Sequence, residues 1–191
     1  MDNLLKRLFL AVPLDEENIR LSEEFIKANE TLPVKWISRD NWHITTVFLG
    51  DFQETLISQL KSELKNIFKK QTPFDIEFDR FCLAPDKRNP RMIWAKYKSC
   101  NNYDRLVYDT FSGLKKFYRE NKLDFNISLH KHNIPHVTLS RLRTRLNVSL
   151  NELQSQLMLN VKTCILFESV LRTQGAQYLI IKEFTFSTDI L

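Results

Sequence analysis

The chain has 191 residues, of which 43% are hydrophobic and 27% charged, enough apolar material to form a core without disulfide or metal staples. Its three cysteines, Cys82, Cys100 and Cys164, are spaced neither as a disulfide framework nor as a metal-binding pattern. No apolar run is long enough to span a bilayer. A formal net charge of +5 favours polyanionic partners, and a single cytoplasmic, monomeric domain over residues 1–191 is expected.

"RLFLAVPL" from Arg7 reads as a buried strand. "DEENIRLSEEFIKANETL" follows as a helix, with acidic residues in its first turn and Ile19, Phe25 and Ile26 among charges. "VKWIS" and "NWHITTVFLG" flank the polar turn Ser38 to Asn41 and read as two strands, the second closed by Gly50, with His43 near its start. "QETLISQLKSELKNIFKK" sets Leu56, Leu60, Leu64 and Ile67 at helical spacing. "FDIEFDRFCLA" and "RMIWAKYK" predict an antiparallel pair around "PDKRNP", a turn that gathers Lys87, Arg88 and Arg91. Those cations suit either a solvated loop or ligand contacts.

"YDRLVYDTFSGLKKFYREN" carries Leu106, Val107, Phe111, Leu114 and Phe117 at helical spacing despite Gly113. "IPHVTLSRL" predicts a strand, and "SLNELQSQLML" a short helix with Ser149 and Glu152 as a capping box. "VKTCILFESVLR" and "AQYLIIKEFTF" flank Thr173-Gln174-Gly175 as a hairpin.

Two of the four histidines, His43 and His136, open the matching strings "HITTVF" and "HVTLSR", one in each half of the chain. Residues i and i+2 share a strand face, so His43 lies with Thr45 and His136 with Thr138. Two imidazoles and two hydroxyls facing one another would offer proton transfer on both sides of a phosphodiester and donors for its oxygens. One His-x-Thr alone is ordinary strand chemistry; its duplication is not. A rival grouping, His130, His132 and His136 as metal ligands, is interrupted by Asn133 and Pro135.

"RLFLAVPL", "VKWISRDNWHITTVFLGD", "IPHVTLSRL" and "VLRTQGAQYLIIKEF" together resemble the 2H phosphoesterases, and more narrowly the RNA 2′,3′-cyclic phosphodiesterases, or LigT-like 2′-5′ RNA ligases. The resemblance implies a bilobal, pseudo-symmetric α+β fold with two antiparallel sheets and flanking helices around a central cleft. It implies an enzyme, needing no metal and no cofactor, that opens 2′,3′-cyclic phosphates of RNA ends or nucleotides to 2′-phosphates and can join ends in reverse. His43 and His136 become the acid/base pair, with His136 activating water and His43 protonating the 3′ oxygen, while Thr45 and Thr138 hold the phosphate.

The family pattern also implies that Arg141 holds the phosphate or stacks on the base, with Phe48 as its aromatic counterpart. A straight strand would turn both away from the histidines, so this role requires a bulge or a strand end there. Thr46 stands where leucine is common, Ser140 replaces a small apolar residue, and Trp42 is either a core anchor or part of the cleft wall. Competing expectations are a 2′-5′ oligonucleotide phosphodiesterase and a non-catalytic RNA-binding module using Lys87, Arg88 and Arg91.

Overall fold

The computed structural model describes residues 4–127, 133–142, 149–173 and 175–188. Eight strands, β1 (Leu5–Pro13), β2 (His43–Gln53), β3 (Phe74–Ala84), β4 (Met92–Tyr97), β5 (His136–Arg141), β6 (Met158–Val161), β7 (Thr163–Arg172) and β8 (Gly175–Thr185), form an antiparallel array. Their order is β6-β3-β4-β5-β2-β1-β7-β8. The two expected sheets are its halves. They meet between β5 and β2, where Ile44 opposite Val137 is the bridging pair.

Three helices cover the outer faces: α1 (Glu16–Ala28), α2 (Ile57–Phe68) and α3 (Asn101–Glu120). The Asp15 side chain accepts from the Asn18 backbone and caps α1, whose Phe25 stacks on Phe81 of β3 at 3.9 Å. Tyr97 of β4 donates to Asn18, and Asn18 donates to the Met158 carbonyl, tying α1 to the β3-β4-β6 half. Helices α2 and α3 back the other half, through Phe68 against Phe184 and Phe52 against Phe117. Gly113 is where α3 meets α2, because a side chain there would strike Ile67.

Three expectations change. Instead of a helix, residues 149–157 form no regular structure and lead into β6. Their polar groups are engaged elsewhere: Asn151 donates from its backbone to Asn29 and from its side chain to the Ala28 carbonyl, and the Leu157 carbonyl accepts from Phe78. These tertiary bonds outweigh the capping-box preference. "VKWIS" forms only an isolated bridge, Trp36 opposite Ser140, with Ile37 donating to the Leu139 carbonyl. Strand β2 also runs past Gly50, whose φ of +74° sits beside a bulge rather than at an end.

Candidate active site

Ile44 and Val137 are both fully buried, and antiparallel pairing makes them the centre of a local twofold axis. Alternation then turns His43, Thr45, His136 and Thr138 together onto the opposite face. The two His-x-Thr pairs thus flank one point from two sides, as their duplication predicts.

Each imidazole is held the same way. Nδ1 of His43 lies 2.8 Å from the Asn41 carbonyl, and Nδ1 of His136 lies 2.8 Å from the Ile134 carbonyl. A carbonyl only accepts, so Nδ1 carries the hydrogen in both rings and Nε2 is the working atom. Nε2 of His43 also meets the Thr45 hydroxyl at 3.1 Å.

Aromatic neighbours fix the ring planes. His136 stacks on Trp94 of β4 at 3.7 Å and 22°, while His43 lies 4.9 Å from Phe9 and edge-on to Tyr178 at 5.1 Å. Phe9, Trp94 and Tyr178 were not singled out from the sequence. Period-two alternation placed each on a strand, but only the pairing of distant strands brings them to the histidines.

Burial in this apolar setting lowers the pKa of His43 to about 4, against the pull of its bond to the Asn41 carbonyl; His136 and Arg141 push it further down. Burial likewise lowers His136, again opposed by a backbone bond and helped by Arg141. Arg141 therefore acts electrostatically on both rings.

Phe48 and Arg141 reach this face because both strands bulge at the same place. Between Ala11 opposite Thr45 and Leu10 opposite Val47, β2 carries Thr46 as an extra residue. Between Trp94 opposite Thr138 and Ile93 opposite Ser140, β5 carries Leu139. Each bulge reverses the alternation, so Phe48 opposite Phe9 and Arg141 opposite Met92 return to the histidine side. Both are exposed.

The departures from the family pattern are structural. The Thr46 hydroxyl donates to the Leu10 carbonyl, and buried Ser140 donates to the Lys35 carbonyl. Trp42 is a core anchor, with Nε1 donating to the Ile37 carbonyl at 2.9 Å. His130 and His132 lie outside the described residues; among those described, no three His, Cys, Asp or Glu side chains gather as metal ligands. No helix among the described residues is long and apolar enough to cross a membrane.

The family model "LigT like Phosphoesterase" matches residues 8–94, which include the first His-x-Thr strand. An RNA 2′,3′-cyclic phosphodiesterase of Aquifex aeolicus is 28% identical over 159 residues, 78% of this chain and 80% of the relative. The chain is similar to the LigT-like phosphoesterases. A Bacillus subtilis protein of the same name is 28% identical, with 74% of each chain aligned. Among solved structures, a Thermus thermophilus protein superimposes with a TM-score of 0.80 at 23% identity, covering 94% of this chain and 97% of its own. Apo LigT of E. coli gives 0.74 at 20% identity, covering 96% and 98%. The chain shares their α+β fold. Its second histidine strand lies beyond the residues matched by the family model, and strand pairing supplies its relation to the first.

Proposed function

We propose that this chain is a LigT-like phosphoesterase that hydrolyses 2′,3′-cyclic phosphates at RNA ends to 2′-phosphates, with His43 and His136 as its acid/base pair and no metal in the reaction. The observation that carries the proposal is the twofold placement of two His-x-Thr pairs on one face, each imidazole presenting Nε2. Relatives named RNA 2′,3′-cyclic phosphodiesterase support the substrate class, as does the similarity of this fold to E. coli LigT complexed with 3′-AMP.

Nε2 of His136 takes a proton from water as the water oxygen bonds to phosphorus, the P–O3′ bond breaks, and Nε2–H of protonated His43 gives its proton to O3′. The Thr45 and Thr138 hydroxyls and Arg141 stabilise charge on the non-bridging oxygens, and Phe48 offers a face to the base. A 5′-hydroxyl in place of water would yield a 2′-5′ linkage. In the return direction the two imidazoles exchange roles, which their symmetric mounting permits.

The test is turnover, in excess EDTA, of a short RNA ending in a 2′,3′-cyclic phosphate, with the product's phosphate position identified. Conversion to the 2′-phosphate is expected, with losses of about 10²- to 10⁴-fold in His43→Ala and His136→Ala. A 3′-thio substrate, whose leaving group needs no proton, should restore His43→Ala and not His136→Ala. Absence of conversion by the native protein would overturn the proposal in favour of 2′-5′ oligonucleotide cleavage or plain RNA binding.

A further inference from the structure

The twofold axis makes the two arms of the sheet equal in strand order but not in chemistry. Beyond β2, one row on the histidine face runs Phe48, Phe9, Phe167, Ile180 across β2, β1, β7 and β8. Phe9 stacks on Phe167 at 5.2 Å, and Phe48 and Ile180 remain 64% and 65% exposed. None of the four carries charge.

Beyond β5, the corresponding face is cationic. His136 stands opposite Lys96, and Lys96 opposite Arg80, so two cations follow the histidine across β4 and β3, two rows from Arg141. The tip of the β3-β4 hairpin adds Lys87, Arg88 and Arg91, all exposed. Arg91 is tied to the end of β5, because its carbonyl accepts from the backbone of Leu142, the residue after Arg141. The cations are only partly neutralised: Asp79 binds Lys96 at 2.8 Å and Arg80 at 3.3 Å, and Asp86 lies 3.6 Å from Arg88.

A nucleotide with a 2′,3′-cyclic phosphate offers one phosphate, which the proposed reaction assigns to Thr45, Thr138 and Arg141. Further cations leading outward have a matching partner only if the substrate brings further phosphates. The uncharged Phe48, Phe9, Phe167 and Ile180 row of the opposite arm provides none of that attraction beside the histidines, so the polarity also sets the direction in which the polymer leaves the centre.

We infer that the cationic arm, from Lys96 and Arg80 to Lys87, Arg88 and Arg91, is a subsite for the upstream phosphates of single-stranded RNA, making an oligonucleotide end the preferred substrate over a free cyclic nucleotide. The inference rests on the phosphodiesterase reading above. It is tested by comparing KM for a nucleoside 2′,3′-cyclic phosphate with KM for a short single-stranded RNA bearing the same end, across a salt series. The protein is compared with a Lys87→Ser, Arg88→Ser, Arg91→Ser variant, and separately with Arg80→Ser.

In the native protein, KM for the RNA should be the lower of the two and should rise with salt. The triple variant should raise the RNA-to-nucleotide KM ratio by roughly tenfold at low salt and reduce the salt slope by about 0.7 for each phosphate no longer neutralised. Arg80→Ser should move the ratio in the same direction. Equal KM values in the native protein, or a ratio unchanged in both variants, would overturn the subsite. If the native protein turned over neither substrate, the phosphodiesterase reading itself would fail.

Discussion

At the residue scale, the two histidines differ in what they rest on, and pH should reveal it. With both pKa values lowered by burial and by Arg141, the singly protonated pair is most populated between its two apparent values, and the proposed reaction draws on the fraction that carries the proton on His43. A plot of kcat/KM against pH, with a cyclic nucleotide, is therefore expected to peak between about 4 and the ordinary histidine value of 6.5 and to fall on either side. Bound phosphate brings negative charge that favours both imidazolium forms, so the kcat profile should lie at higher pH. A kcat/KM that climbs through pH 8 would contradict this. Trp94 bears on the upper limb, because its face lies 3.7 Å from His136 and favours the imidazolium. Trp94→Leu should move that limb down by roughly half a pH unit; a purely structural role would change KM or stability without displacing it.

At the scale of elements, local pattern was sufficient where backbone bonds stay local and insufficient where they do not. Helices α1, α2 and α3 were readable from apolar spacing because each buries one stripe. The segment from Ser149 had a capping pattern just as clear, yet Asn151 bonds to the end of α1 and Leu157 to β3. No local window contains those partners. The bulges at Thr46 and Leu139 were legible only as one of two conditions: if Phe48 and Arg141 serve the site, each strand must bulge or end between the threonine and that residue. Both bulge. Gly113 shows the same limit, since its helix pattern tolerates glycine while Ile67 of α2 demands it. Gly113→Ala should lower stability by about 1–3 kcal/mol in urea unfolding, because the methyl must displace a packed isoleucine rather than fill space.

At the scale of the molecule, the duplicated motif revealed that the halves face one another, and the Ile44–Val137 pair is how they do so. That seam is narrow. Ile44→Ala leaves a cavity at the axis and should cost about 2–4 kcal/mol in unfolding; it should also lower kcat more than KM, since the spacing of both histidine pairs depends on it. The buried histidine links the whole fold to acid. The pKa of His43 is depressed in the folded state, so its contribution is fully present above the unfolded value of 6.5 and is lost as pH falls towards about 4. Thermal stability should decline across that window by up to about 3 kcal/mol from this group, and the decline should be smaller in His43→Asn.

What the sequence could not disclose was the exchange between halves. Strands β7 and β8, made after the other six described strands, complete the half begun by β1 and β2, with β1 held between β2 and β7. A chain emerging from the ribosome therefore carries both histidine strands long before Phe167 and Tyr178 arrive to wall in His43. Until then β1 has an open edge and the first imidazole has no finished setting. Translation order thus delays the chemistry: the assembled site is available only once β7 and β8 have followed the other six strands, and a fragment arrested before β7 would hold both histidine strands without the enclosure that tunes them.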